Sequence, residues 1–464
     1  MKVAYLHYHL KPGGVTTVIQ HQIRAVQNVA DVMVFSSTPF IESPEIPVKQ
    51  IPWLAYDSDI IEPVRSEKLA DIMELEMKRR WGSLCDVLHV HNPTLGKNRG
   101  LRDALIRLRD RGCPLLLQIH DFAEDGRPRL YDPDSYLEDV HYGVINARDQ
   151  SVLLDAGLKP EGLHRLDNRV REFPFHESEE GDTLIYPVRA IRRKNVGEAI
   201  FVHQWLGFHG SLGITLPANS VSDRVIQKDW ERFVREKAFS VHFDIGIHND
   251  FNGLMQDAFL VITTSVNEGF GFSFLEPWTA GKAVIGRRLS VCDDFKEHGV
   301  DLDHLYTRLL IPAEFFDIGS FQKRYAAALK RAMAAFGRAL LPEAVDSSLN
   351  TLTAAGSIDF GRLDETAQRE AITYLVKERS AKRIISGLNP HRRLFQPDRD
   401  LRKKISKNAQ TVREHWGENA FRKRLLAAYD AVIKGRVKQR IDTEAVLKAF
   451  LRPRDFTMIR WNNE

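Results

Sequence analysis

Cysteine is scarce in this chain, with three in 464 residues, at Cys85, Cys113 and Cys292. They lie far apart in the sequence, form no metal-ligand spacing and are odd in number. A disulfide framework and a thiolate zinc site are therefore excluded, and a reduced, cytoplasmic protein with buried thiols is expected. No run approaches the about 18 consecutive apolar residues of a membrane span. The opening MKVAYLHYHL has too short an apolar run for a signal peptide, so neither membrane crossing nor export by that route is expected. Three signatures are also missing. Without GxGxxG a nicotinamide Rossmann domain is disfavoured, without G-x-x-x-x-G-K-[ST] a phosphate-loop nucleotidase, and without G-x-S-x-G a serine hydrolase of the α/β type. His89, His91 and His120 show no short helical spacing, so no metal is expected. Charge of one sign is lacking as well: 66 basic against 62 acidic residues leave a net charge of +4. That balance suits an anionic ligand or a local basic segment better than a dedicated nucleic-acid binder.

What the chain does have is length and alternation. At 464 residues it exceeds what one core usually supports, so two domains are expected. Apolar runs at 2–6, 31–36, 85–91, 114–120 and 142–146 read as strands, with helical stretches near 15–29, 62–80 and 97–110. The text at 171–182, REFPFHESEEGD, is a polar connector without periodicity. A second series follows, with strands at 182–188, 212–217, 240–245, 259–262 and 282–286 and helices from 196 and near 223–236. Strands alternating with helices predict an α/β fold of two parallel, doubly wound, Rossmann-like domains. The expected limits are 1–178, 179–405 and 406–464, the last a C-terminal helix with an extension. Residues 376–440 are rich in Lys and Arg. Val412, Trp416, Phe421, Leu425, Leu426, Tyr429 and Val432 fall at helical intervals, which reads as one long amphipathic helix over 408–433 docked on the body. A nucleic-acid or acidic-membrane surface is the alternative for that segment, and peripheral membrane contact stays open.

Chemistry concentrates in five places. Residues 258–286 read strand, glycine loop, helix: Glu268, Gly269, Phe270 and Gly271 form the loop, and Glu276 is expected about one turn into the helix. Such a loop offers backbone N–H groups to an anion, flanked here by two carboxylates. A glycosidase-like carboxylate pair is a competing reading, but neither residue has an evident apolar setting to raise its pKa. Lys11 to Val15, KPGGV, puts Gly13 and Gly14 between a first strand and a helix, where paired glycines admit a diphosphate or simply make a turn. Arg189 and Lys194 follow the second series' first strand, where fixed cations can neutralise a leaving diphosphate. Arg192 and Arg193 beside them could be surface residues. Two polar clusters end strands of the first series: His91, Asn92, Lys97 and Asn98, then His120, Asp121, Glu124, Asp125 and Arg127. Two domains of this kind in tandem are expected to enclose a ligand cleft between their strand ends.

Taken together, the N-terminal GGV, LHVHN, QIHD, the R-x4-K of Arg189 and Lys194, and the E-x7-E of Glu268 and Glu276 resemble the retaining GT-B glycosyltransferases. This is the superfamily of glycogen synthase and sucrose-phosphate synthase (glycosyltransferase family 4-like), and the resemblance spans roughly residues 1–435. It implies a GT-B fold with a C-terminal helix crossing back to the first domain, and transfer of a hexose from a nucleotide-diphosphate sugar, UDP-glucose by family frequency. By position, it implies that Arg189 and Lys194 hold the diphosphate and that Glu276 bonds the ribose. Glu268 would bond hydroxyls of the sugar, Gly269, Phe270 and Gly271 would offer N–H groups, and Gly13 and Gly14 would close over the diphosphate. His120 matches the family histidine near the reacting carbon. The resemblance further implies a metal-independent, cofactor-free, front-face displacement that keeps the anomeric configuration. The departures are GRRLSVCDDFKEHG where the family often has a glycine-rich segment, and an extension past Lys434. His91, Asn92, Lys97, Asn98, Asp121, Glu124 and Arg127 make the acceptor side polar, which favours a small hydrophilic acceptor, a sugar or hydroxy acid, over a lipid. A GT-B phosphorylase or sugar-nucleotide epimerase is the near rival, and a non-catalytic protein binding nucleic acid or membrane surfaces the remote one.

Overall fold

The computed structural model describes residues 1–41, 43, 45–60, 66–174, 181–352, 356–390 and 399–461. They form two compact units, Met1–Arg169 with Trp416–Leu451, and Val170–His415 with Arg452–Glu464. The expected limit at 178/179 lies outside the described residues, and that at 405/406 falls inside a helix, Arg399–Trp416.

The first unit is built on a seven-stranded sheet of β1 (Lys2–Leu6), β2 (Asp31–Ser36), β3 (Val48–Gln50), β4 (Val87–His91), β5 (Leu115–Ile119), β6 (His141–Val144) and β7 (Leu163–Arg165). The order is β3-β2-β1-β4-β5-β6-β7, and every pairing is parallel. β4 and β5 are buried along their whole length, which is why their text is apolar without alternation. One face packs Leu69, Met73 and Met77 from the helix Ser66–Trp81 and Leu101, Leu105 and Leu108 from the helix Arg99–Asp110. The other packs Ile19, Ile23 and Val26 from the helix Gly14–Val26 and Phe421, Leu425, Tyr429 and Val432 from the helix Glu418–Lys434. The sheet order reverses between β1 and β4, and loops leaving the carboxyl ends there form the crevice in which such sheets bind ligands.

The second unit repeats the plan with β8 (Thr183–Arg189), β9 (Ser211–Leu216), β10 (Val241–His242), β11 (Ala258–Thr263) and β12 (Val284–Gly286), ordered β10-β9-β8-β11-β12 and parallel throughout. Its reversal lies between β8 and β11. A short antiparallel pair, β13 (Leu310–Pro312) and β14 (Ser357–Asp359), stands beside it. Buried Arg287 bridges Glu198 at 2.8 Å and Asp359 at 2.6 Å, tying the end of β12 to the helix Val196–Leu206 and to β14.

Several expectations change. The helix expected over 408–433 is two, Arg399–Trp416 and Glu418–Lys434, because Gly417 adopts extended backbone (φ −71°, ψ 175°). Its apolar residues do pack on the body: Val412, Trp416, Phe421, Leu425, Tyr429 and Val432 are buried. Part of the basic text, at 391–398, lies outside the described residues. The strand read over 240–245 shrinks to Val241–His242. Cys85 and Cys113, distant in sequence, have their sulfurs 3.6 Å apart. No described helix is long and apolar enough to cross a membrane.

Candidate active site

In the second unit, the loops leaving β8 and β11 are stitched together at the sheet reversal. Tyr186 Oη donates to the Lys194 carbonyl at 2.6 Å and lies 2.9 Å from Ser265 Oγ. Thr264 Oγ1 donates to the Asn195 carbonyl at 3.0 Å, and the Val266 N–H donates to the Arg193 carbonyl at 2.9 Å. Asn195 takes a left-handed backbone (φ 52°), which ends the 3-10 turn Arg192–Lys194 and starts the helix Val196–Leu206. This fixed turn delivers Lys194 Nζ to Glu268 Oε1 at 2.5 Å. Burial alone would raise the Glu268 carboxyl; the charge and hydrogen bond of Lys194, aided by Ser265 and Arg193, hold it below the usual carboxylate range. Burial also lowers the Lys194 ammonium, against the pull of Glu268. An ammonium has three N–H donors, so donors remain on Lys194 for a second anion.

The other second-unit candidates lie at the end of β8 and along the segment that follows β11. Arg189 is the last residue of β8, and its Nη1 donates to the Pro217 carbonyl at 3.4 Å. Gly269 is exposed, whereas the Phe270 ring is buried against Phe272 and Phe295, which anchors the loop. Gly271 sits at φ 90°, a conformation that favours glycine, and turns the chain into the 3-10 segment Phe272–Phe274. Glu276 is not a turn into a long helix. It is the first residue of the short helix Glu276–Thr279. Nor is its setting unable to shift a pKa: burial pushes its carboxyl up to about 7, against the charge and backbone N–H of Arg171.

In the first unit, the exposed Gly13 precedes Gly14, the first residue of the helix Gly14–Val26. Among the described residues, a Cβ at Gly14 would meet nothing within 4 Å. His91 Nδ1 lies 2.9 Å from His120 Nε2 with the rings stacked, and both residues are buried. Asn92, left-handed at φ 52°, accepts the His120 and Asp121 N–H groups on Oδ1 at 2.7 and 3.2 Å, so its side chain shapes the loop after β5. Asn98 caps the helix Arg99–Asp110 by accepting from Leu101 N and donates to the Trp53 and Ala55 carbonyls. Its amide is taken up by the fold. Lys97 Nζ donates to Tyr56 Oη at 2.9 Å, Arg127 pairs with Asp121 at 2.7 Å, and Glu124 accepts from Tyr136 Oη at 3.1 Å. Among the described residues, no group of three or more His, Cys, Asp or Glu is placed to hold a metal ion.

Over 373 residues the chain is 24% identical to mannosylglucosyl-3-phosphoglycerate synthase of Petrotoga mobilis, covering 69% of this chain and 71% of that protein. A solved glycosyltransferase from Rickettsia africae ESF-5 aligns with a TM-score of 0.58 at 12% identity, over 93% of this chain and 98% of that one. The chain has the GT-B fold. An E. coli structure described as trehalose-6-phosphate bound with UDP-2-fluoro glucose also shares the fold, with a TM-score of 0.50 at 10% identity over 95% of this chain and all of that one. No protein-family model matches the chain.

Two arginines of this GT-B fold escaped the sequence reading. Arg192 is no surface residue: it grips Glu365 through Nε at 2.6 Å and Nη2 at 3.1 Å, and it donates to the Trp461 carbonyl. Arg193 carries its charge close enough to act on both Lys194 and Glu268. The first partnership spans 173 residues, which no local pattern signals. The second was legible in the RRK text but not separable there from a solvated turn.

Proposed function

We propose that this protein is a glycosyltransferase that moves a hexose from a nucleotide-diphosphate sugar to a small hydrophilic acceptor, a sugar or hydroxy acid, with retention of anomeric configuration and without a metal. The observation that carries this is the Lys194–Glu268 ion pair, held at the reversal of the second sheet beside the end of β8 that bears Arg189. A diphosphate needs fixed cations where charge grows on the leaving oxygen, and Arg189 with the remaining donors of Lys194 supplies them. Glu268, kept ionised by Lys194, accepts sugar hydroxyls. Glu276 accepts ribose hydroxyls, and Gly269, Phe270 and Gly271 present backbone N–H groups. From the first unit, Gly13 and Gly14 leave room for the diphosphate, and His120 addresses the sugar. With the departing phosphate oxygen helping to take the acceptor proton, no protein base is required, and the rate rests on positioning and leaving-group stabilisation. Buried free cysteines support a cytoplasmic setting for the reaction.

The Petrotoga relative's name joins two sugars to 3-phosphoglycerate. Glucose and mannose nucleotide sugars, with UDP-glucose first, therefore head the donor panel. 3-Phosphoglycerate and its glucoside head the acceptor panel. A thermal-shift screen of UDP, GDP and ADP is expected to pick one base, because a ligand at about 100 times its Kd stabilises by about 2.7 kcal/mol. Nucleoside diphosphate is then expected only when acceptor is added, with or without chelator. Replacing Arg189 or Lys194 by alanine is expected to cut that release by about 10²-fold or more. Release at the wild-type rate from either variant refutes the role given to that residue.

A further inference from the structure

His120 is one end of a column of imidazoles inside the first unit. His89 and His91 come from β4 and stack with ring centroids 4.5 Å apart, and His91 stacks on His120 at 5.2 Å. Both nitrogens of His89 are occupied, Nδ1 by Tyr429 Oη at 3.0 Å and Nε2 by Gln118 Oε1 at 2.9 Å. His91 is different. Its Nδ1 meets His120 Nε2 at 2.9 Å, but its Nε2 is buried and, among the described residues, has no hydrogen-bond partner. The His91 carbonyl meets His7 Nδ1 at 3.2 Å, and the His120 N–H donates to Asn92 Oδ1 at 2.7 Å, so both ends of the contact are held in place.

Two neutral imidazoles can share such a contact in two ways. If His120 donates from Nε2, His91 must carry its own proton on the buried, unpartnered Nε2. If His91 donates from Nδ1, its Nε2 is only an unused lone pair, and the His120 proton sits on Nδ1. A buried N–H without an acceptor is the rarer and costlier outcome, so the second arrangement wins. Neutrality of both rings follows from burial, which holds His91 well below the usual histidine range and lowers His120 to about 4. His7 and His89 face His91 as neutral rings for the same reason, while Asp121 opposes the lowering at His120.

We propose that His91 is a positioning residue: by donating from Nδ1 to His120 Nε2, it fixes the Nδ1–H tautomer of His120, which therefore meets its ligand as a hydrogen-bond donor and not as a base. Resting on the transferase reading above, this assigns His120 the task of binding an oxygen of the sugar. It also moves His91 out of the acceptor set in which the sequence placed it.

The test reads the proton directly. In full-length protein labelled with 15N-histidine, long-range 1H–15N NMR spectra at pH 7, assigned with His120→Gln, are expected to show His120 Nδ1 protonated and Nε2 bare. The reverse overturns the proposal. His91→Asn keeps an N–H donor near the position of Nδ1, whereas His91→Asp offers an acceptor of the same shape. The Asn variant is expected to retain kcat within about threefold and the same His120 spectrum. The Asp variant is expected to lose on the order of 10²-fold in kcat, the cost of one misplaced transition-state donor, with an unchanged nucleotide-induced Tm shift. Equal kcat in the two variants overturns it. If the Asp variant does not fold, the wild-type spectrum still decides. If the wild type transfers from no nucleotide sugar, the functional reading fails, while the spectrum still decides which nitrogen of His120 carries the proton.

Discussion

Glu276 and Gly14 are the single residues at which the proposed donor chemistry is most directly tested. The Glu276 carboxyl, pushed up to about 7 by burial against the opposing charge of Arg171, titrates across the neutral range. Only the ionised form accepts both ribose hydroxyls, so a nucleotide that bonds it must bind more weakly as pH falls through about 7. Between pH 8 and 6 the Kd for the preferred nucleoside diphosphate is expected to rise about tenfold by proton linkage. Calorimetric titration of wild type against Glu276→Gln checks this, because the difference cancels the nucleotide's own phosphate ionisation. Identical pH slopes in the two proteins would remove Glu276 from the ribose site. Gly14 makes the converse point. Its φ is not positive, and beyond its chain neighbours and its own helix backbone no described atom lies within 4 Å of an added Cβ, so the fold has no evident use for glycine there. Gly14→Ala is expected to leave Tm unchanged or raise it slightly, since alanine in a helix is favoured by about 0.5–1 kcal/mol. The same methyl, placed where a diphosphate is to approach, is expected to cost transfer about tenfold or more. Unaltered transfer would mean that the glycine pair is only a turn.

At the level of elements, what the sequence disclosed depended on whether a signal was local. β1 and β2 coincide with the KVAYL and DVMVFS runs, and β4, β5, β8 and β11 lie within one or two residues of theirs, because unbroken apolar runs mark strands buried on both faces. Gly417 was illegible because a one-residue break leaves the apolar spacing on either side nearly continuous. The Arg192–Glu365 clamp was illegible because its partners meet only in the folded unit. The loop after β5 illustrates the same limit for electrostatics. Its acidic text reads as a polar acceptor-side loop, yet Glu124 is 2% exposed, and burial pushes its carboxyl up to about 7. The folded state thus holds that proton more tightly than the unfolded chain, whose glutamate titrates near ~4.3. The associated stability is present at low pH and is lost as pH rises through about 7, on the order of 3 kcal/mol in total. Glu124→Gln keeps an acceptor for Tyr136 and is expected to raise Tm at pH 8 while changing it little at pH 4. Asp149, raised to about 7 in the same way, leaves some slope behind. A variant less stable than wild type at pH 8 would show that the ionised carboxylate is satisfied in place.

Across the whole chain, the consequential fact is that the first unit is discontinuous in sequence. Residues 1–169 supply its sheet, but Phe421, Leu425, Tyr429 and Val432 complete one of the two cores. At about 1.5–3 kcal/mol for each fully buried side chain, these four contribute on the order of 10 kcal/mol, comparable to the 5–15 kcal/mol by which whole domains are stable. The return segment is also stitched by polar contacts: Gln439 Nε2 donates to the Val140 carbonyl at 2.6 Å, and Tyr429 Oη meets both Tyr5 Oη and His89 Nδ1. Residues 1–169 alone are therefore expected to be aggregated or unfolded. The remedy follows from one ion pair, Arg169 Nη2 to Glu418 Oε2 at 3.3 Å, which places the end of the first segment beside the start of the second. Joining residue 169 to residue 416 through a short Gly/Ser linker, and ending at 451, is expected to yield a monomeric protein with one cooperative thermal transition. Circular dichroism and sedimentation distinguish the outcomes. A folded, soluble 1–169 would mean that the returning helix is only docked on a finished core, whereas a fusion that stays unfolded would mean that the first unit needs residues from 170–415 to form.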